Sequence, residues 1–404
     1  MNLKFVRGAL LFVVSCGLSF YIGTRYSLTA SMGKGEQLTE VRTEVMNEVL
    51  GRIKKDYLKP EEIDAKKLMY GAAEGMTAAL GDPYTAFFPP TENQRSKEDL
   101  KGEFGGVGIQ LGFVEKTLAV MSPIKDSPAM RAGIRAGDLI LKIVDEKNKV
   151  DKDTTGINIQ EAVDLIRGEK GTEVKLTMFR EGDKESREVV LVRDIINVPS
   201  TELEWVDNNK VAVIRVNKFG EKTLPEWEGF VKEIVSKKAT GVILDLRNNP
   251  GGYLQRAVDL GSEFIADGVI VKQRDRNRTE VLSVDRRGKL IGMPLVVLIN
   301  RGSASASEIL AGALRERIGT KLVGEKSFGK GTVQEAQEIG DGSSLHVTIA
   351  EWLLPSGKNI HKEGLMPDVE VKFVYDEKNP KADNQMEKAV EILRSQISDL
   401  GLKK

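Results

Sequence analysis

The chain has 404 residues, and its 60 Lys plus Arg are matched by 60 Asp plus Glu, so the formal net charge is zero. That balance excludes the basic excess that nucleic-acid binding requires. A content of 40% apolar and 30% charged residues describes a globular body, not a disordered chain. Cys16 is the single cysteine, which excludes an internal disulfide and a CxxC zinc site. The two histidines, His346 and His361, are too few and isolated for a histidine-rich metal centre. At about 100–200 residues per domain, the length implies two or three domains.

Taken in chain order, the first element is an uncharged run from Gly8 to Thr24, preceded by Lys4 and Arg7 and closed by Arg25. Its length sits at the short end of the roughly 17–25 residues that span a bilayer. Three readings stand: an uncleaved signal anchor, a cleaved signal peptide, and lipidation at Cys16. The poor cleavage context at Leu28-Thr29-Ala30 favours the anchor. All three place the body outside the cytoplasm. Residues 31–100 read as a short linker and then helix, with Val45, Val49, Ile53 and Tyr57 at spacing four. The segment GDPYTAFFPP, Gly81 to Pro90, ends that region.

Residues 101–193 change to short strands and turns. GGVGIQLGF, TLAVMSPI, DLILKIVD and EVKLTMFR read as strands, and SPAMRAGI and NIQEAVDLIRG as helices. In residues 194–375 the strands KVAVIRV, GVILDLR, PLVVLIN and LHVTIA are more continuously apolar and alternate with helices. That pattern predicts an α/β core around a largely buried sheet. Residues 376–404 form a charged tail with one helix candidate.

Four motifs carry possible chemistry. In PLVVLINRGSASASEILAGALRERIG a buried strand ends at Asn300, Gly302 turns, and a helix starts among three serines. A serine at such an elbow sits beside unpaired N–H groups at a helix N-terminus, which suit a developing oxyanion. Ser305 and Glu308 also have capping-box spacing, and read alone the motif fits capping better. In GEKSFGKGTVQ, Lys330 lies between Gly329 and Gly331. A lysine in an apolar pocket loses proton affinity and can act as a general base; a plain surface lysine is the alternative. A P-loop is excluded because Gly331 stands where Ser or Thr must bind magnesium. GVILDLRNNPGGYLQRAVDLG places Gly251 and Gly252 at a strand end, either as N–H donors or as an ordinary connection. FGGVGIQLG, Phe104 to Gly112, can aim N–H groups at a carboxylate beside a strand edge that accepts an extended peptide.

With all four in this order, the chain resembles the C-terminal processing peptidases, serine proteases of peptidase family S41 that carry a PDZ domain. The resemblance spans roughly residues 40–375 and includes LGDPYTAFFPP and GKNIHKEGLMPDVEV. It implies a mixed α/β fold: a PDZ domain inserted between an N-terminal helical region and a crotonase-like or ClpP-like protease core, behind a membrane anchor. It implies Ser305 as nucleophile, Lys330 as general base and Gln334 as the residue that orients the lysine. It implies oxyanion donors from Ala306 and from Gly251 or Gly252. Gly105, Gly106, Val107, Gly108 and Ile109 would bind the C-termini, apolar by resemblance, of protein substrates. No cofactor or metal is implied.

The expected location is the periplasmic face of the inner membrane. A homodimer formed through the helices at 40–57 and 384–400, or a partnership with an adaptor protein, is compatible with the sequence. Two rivals are a non-catalytic PDZ scaffold and acyl-thioester chemistry on a crotonase-like core.

Overall fold

A computed structural model describes residues 43–375, 379 and 382–401. The apolar run at 8–24 and Cys16, with the anchor, cleavage and lipidation readings attached to them, lie outside the described residues. Among the described residues no helix is long and apolar enough to cross a membrane. The chain divides into two compact units, Met1–Met69 and Tyr70–Lys404.

In the first unit the expected helix runs Thr43–Asp56, with Glu44 in its first turn and Lys54 and Lys55 in its last. Those charges complement the helix dipole. It stops before Tyr57, and Pro60 opens a 3-10 turn, Pro60–Glu62. The stripe of Val45, Val49 and Ile53 has the right spacing, yet the helix buries none of its residues.

The second unit is built around a six-stranded sheet. Thr201–Val206 pairs antiparallel with Val211–Val216. Gly241–Asp245, Leu295–Ile299, Lys321–Gly324 and Val369–Glu370 then follow in parallel register. Alternate residues serve opposite faces, as the strand period of two demands. Ile214, Leu244, Val297 and Leu322 pack against the helices Thr223–Ser236, Leu254–Gly261 and Ala306–Ile318. Val213, Ile243, Leu298 and Val323 pack against Ala389 and Leu393 of the helix Asn384–Gly401. With both faces covered, the central strands Gly241–Asp245 and Leu295–Ile299 are buried at every position, which is why their sequence pattern is a run and not an alternation. The C-terminal helix therefore packs its apolar side, through Ala389 and Leu393, on its own core.

LHVTIA differs from expectation. It lies in the strand Ser344–Leu353 of a second, antiparallel sheet, between Thr332–Glu338 on one side and Ala86–Phe88 and Val269–Arg274 on the other. Its mixed burial, with one side half-exposed, fits an antiparallel sheet that faces water. The segment GDPYTAFFPP, expected to end the helical region, contains the strand Ala86–Phe88 and delivers the chain into this sheet.

The middle module has its own core, including Leu118, Ile140, Ile143, Leu176 and Met178. All four expected strands are present, as Ile109–Val114, Thr117–Pro123, Leu139–Asp145 and Glu173–Phe179. The helices are Pro128–Arg131 and Ile159–Ile166. The strand Arg187–Val192 was missed because its polar start reads as a loop. Glu103–Gly106 and Asp194–Asn197 pair as a two-stranded stem where the chain enters and leaves the module.

Leu393 is fully buried, and a Cβ on Gly241 would lie 3.0 Å from its Cδ2. Leu393→Ala should cost about 2–5 kcal/mol, as large-to-small core substitutions do. Urea unfolding of the variant beside the wild type measures it.

Candidate active site

Three loops converge at the carboxyl ends of the parallel strands, where open α/β sheets place their sites. The first follows Gly241–Asp245, the second follows Leu295–Ile299, and the third carries Lys330. Ser305 precedes the helix Ala306–Ile318 at φ 56° and ψ −116°, a conformation few side-chain-bearing residues adopt. Backbone strain of this kind concentrates at functional sites, and it holds Ser305 at a strand-to-helix elbow. The first two loops are stitched together. The Asn249 carbonyl accepts from Ala304 N–H at 3.0 Å and from the Ser307 hydroxyl at 3.0 Å. The Leu246 carbonyl accepts from the Ser303 hydroxyl at 2.8 Å. Asn300 and Asn248 pair side chain to side chain at 2.9 Å.

Gly251, at φ 104°, lies against the serine: a Cβ there would be 2.8 Å from Ser305 Cβ and 2.9 Å from the Ala304 carbonyl oxygen. The Gly251 N–H is engaged by Asn249 Oδ1 at 2.9 Å. The neighbouring bridge to Phe219 uses the Gly251 carbonyl and the Tyr253 N–H. The Gly252 N–H has no partner among the described residues. Ala306 is the first residue of its helix, so its N–H has no acceptor one turn back.

Glu308 ties the serine elbow to the lysine loop. It is fully buried. Its Oε2 accepts from Ser305 N–H and Lys330 N–H, each at 2.9 Å. Its Oε1 accepts from Gly329 N–H at 2.7 Å and the Ser327 hydroxyl at 2.5 Å. Burial pushes the carboxyl up, and these four donors hold it down in part. The sequence offered Glu308 only as half of a capping box; its second role depends on a loop some twenty residues further along and leaves no local signal. Asn249 was missed for the same reason.

Lys330 is half-buried. Its backbone is fixed by Glu308 and by the Trp352 indole N–H, which donates to the Lys330 carbonyl at 2.7 Å. Its amine lies 4.9 Å from the centroid of the Tyr84 ring, and no hydrogen bond joins it to Ser305. Burial pushes the lysine below the ordinary range, and Asp82 pulls in the opposite direction. Gln334, expected to orient the lysine, instead donates to the hydroxyls of Thr332 and Thr348, each at 3.0 Å.

The Gly-rich loop of the middle module divides in two. Gly105 and Gly106 belong to the stem, opposite Ile195 and Asp194, and a Cβ on Gly105 would strike the Gly168 carbonyl oxygen at 2.1 Å. The Val107 and Gly108 carbonyls accept from Ala129 N–H and Ile124 N–H, each at 2.9 Å. A trans peptide points its C=O and the following N–H in opposite directions. The N–H groups of Gly108 and Ile109 are therefore aimed away from that segment. Ile109–Val114 pairs only with Thr117–Pro123, so its other edge is unpaired within the sheet.

Residues 210–371 match the model of peptidase family S41, and residues 120–178 match that of the PDZ domain. The carboxy-terminal processing protease CtpA of Bacillus subtilis (strain 168) is 36% identical over 363 residues, covering 89% of this chain and 75% of that protein. The carboxy-terminal-processing protease of Bartonella bacilliformis is 36% identical over 380 residues, covering 92% and 84%. The chain belongs to peptidase family S41. A solved S41 structure from Bacteroides fragilis, 15% identical, shares the fold at a TM-score of 0.54 over 85% of this chain and 96% of that one.

In this S41 chain, Glu308→Ala would leave four buried donors without an acceptor. It should destabilise the fold by about 3 kcal/mol, given about 1–3 kcal/mol per orphaned group with partial relief by water. Peptidase activity should fall at least about a hundredfold, the scale of a lost positioning contact. Glu308→Gln, which keeps an acceptor, should recover most of the stability. Thermal unfolding and peptide hydrolysis, measured together, test both.

Proposed function

We propose that this chain is a serine endopeptidase of the carboxy-terminal processing type, in which Ser305 is acylated and Lys330 acts as general base. The observation that carries the reading is the single buried carboxylate of Glu308. It holds the backbones of Ser305 and Lys330 together beside the Gly251–Gly252 turn. That arrangement has no use in a scaffold and supports catalysis over the non-catalytic alternative.

In the proposed reaction, the neutral Lys330 amine takes the Ser305 hydroxyl proton as Oγ attacks the scissile carbonyl. The oxyanion is received by the N–H of Ala306 at the helix N-terminus and by the Gly252 N–H. Gly251 serves the close approach and gives its own N–H to Asn249. The proton passes from Lys330 to the leaving amine, and Lys330 then activates water to release the acyl group. Gln334 acts through Thr348 instead of directly on the lysine.

Substrate C-termini dock on the PDZ module. The N–H groups of Gly108 and Ile109 receive the terminal carboxylate, and the free edge of Ile109–Val114 takes the tail as an added strand. The basic-flanked apolar run at the N-terminus supports an extracytoplasmic body tethered to the inner membrane.

Incubating the protein with an unstructured substrate that ends in an apolar tail, beside the same substrate with a charged tail, tests selection. Tail-dependent cleavage should disappear in Ser305→Ala and in Lys330→Ala. Unchanged cleavage by Ser305→Ala would overturn the nucleophile assignment, and tail binding without any cleavage would favour the scaffold.

Activity should rise with pH, because the base must be neutral. Burial lowers the Lys330 pKa, so the rise should lie below the ordinary lysine value near 10.4. A pH profile of kcat/KM measures it.

A further inference from the structure

The segment Asp82–Thr85 joins the N-terminal helices to the second sheet and makes no part of the Ser–Lys chemistry just described. One of its side chains, Tyr84, nevertheless lies against the Lys330 amine. Lys330 Nζ stands over the Tyr84 ring at 4.9 Å from the centroid, within the range of a cation–π contact. The Tyr84 ring is itself held edge-on to His361 at 6.1 Å. Asp82 is fixed beside Tyr84 by two local bonds, accepting from Tyr84 N–H at 3.0 Å and from the Thr85 hydroxyl at 2.7 Å. The Thr85 hydroxyl in turn accepts from Thr348 N–H at 3.0 Å, and the Thr348 hydroxyl takes the Gln334 amide. Gln334, Thr348 and Asp82 thus form one network on the lysine's side of the sheet.

We propose that Tyr84 and Asp82 are positioning residues that form the berth of the Lys330 amine and stabilise the positive charge it acquires during catalysis. The proposal rests on the reading of Lys330 as general base. When the proton leaves Ser305 Oγ, the lysine becomes an ammonium in a half-buried site. The negative face of the Tyr84 ring and the Asp82 carboxylate supply the counter-charge where that ammonium sits.

The other titratable groups around the amine do different work. Glu308, from the helix Ala306–Ile318, is occupied by four donors. His346, from the strand Ser344–Leu353, stacks on Phe88 at 4.1 Å, and burial lowers its proton affinity. His361, from the following loop, accepts the Gly331 N–H at Nδ1. Asp82 remains the carboxylate that acts on Lys330, and hydrogen bonds from Thr348, Tyr84 N–H and Thr85 keep it ionised against the opposing effect of its burial.

The test is the pH profile of two reactions, peptide hydrolysis and acylation of Ser305 by a small sulfonyl fluoride that needs no tail. Wild type, Asp82→Asn, Tyr84→Leu, Tyr84→Phe and Lys330→Ala are compared. Loss of the counter-charge makes the ammonium less stable, so the lysine's pKa falls. The acid limb of both profiles should move to lower pH by about 0.5–1 unit in Asp82→Asn and by a smaller step in Tyr84→Leu, in line with the size of neighbouring-charge effects. The plateau should fall about tenfold or more as the base weakens. Tyr84→Phe, which keeps the ring, should restore the limb.

A plateau that falls in Asp82→Asn and Tyr84→Leu with no shift of the limb would mean a purely structural role and overturn the proposal. Should Asp82→Asn not fold, the contrast between Tyr84→Leu and Tyr84→Phe decides alone. Retained hydrolysis in Lys330→Ala would instead remove the general-base reading itself, a separate and recognisable failure.

Discussion

One buried carboxylate organises this molecule's working end. Glu308 sits in the first turn of the helix Ala306–Ile318 with no exposure to solvent, and burying an anion is costly unless donors surround it. The four donors come from the Ser305 backbone and from Ser327, Gly329 and Lys330 on the lysine loop. Satisfying that charge therefore requires the two loops to meet. A structural necessity, hydrogen-bonding a buried carboxylate, doubles as the device that brings Ser305 and Lys330 to one place.

The Gly251–Gly252 turn is anchored by a comparable economy. Residues 218–222 bond on one side to that turn, through Phe219 with Gly251 and Tyr253. On the other side they bond to the helix Pro90–Lys101 and to Glu103, where the stem of the PDZ module begins. Glu221 N–H donates to the Leu100 carbonyl at 2.9 Å, Lys218 pairs with Asp99, and Lys222 pairs with Glu103 at 3.0 Å. Gly220 and Gly252 are both needed for this fit, because a Cβ on either would meet a backbone oxygen at 2.3 Å or less. Arg247, paired with Asp245 and Asp383, fastens the start of the same turn to the C-terminal helix. The Gly251–Gly252 turn is thus held from the PDZ stem and the helix before it, the sheet and the tail together.

The lysine is balanced between opposing forces. Burial strips solvent from its amine and favours the neutral form, while Asp82 and the Tyr84 ring favour the cation. A base buried with no counter-charge would be neutral but weak. A base paired directly with a carboxylate would be permanently protonated. A ring face with a carboxylate acting from beside it lies between these limits.

By itself the sequence determined the layered α/β core, because strands covered on both faces must be apolar at every position. It also determined the four strands of the PDZ module and the serine elbow and Gly-flanked lysine, whose local chemistry is written in adjacent residues. It misplaced what depends on partners distant in the chain. LHVTIA reads as one more core strand, and only the pairing with Ala86–Phe88 and Thr332–Glu338 puts it in a second sheet. The C-terminal helix reads equally as a dimer contact or a core cover, and the apolar face of the sheet decided for the cover. The amide of Gln334 donates to Thr348, and Tyr84, far away in sequence, brings its ring to the Lys330 amine. Local propensity follows from short-range sterics and is legible in order; which carboxylate faces which cation is settled only when loops from separate strands arrive at the same edge of the sheet.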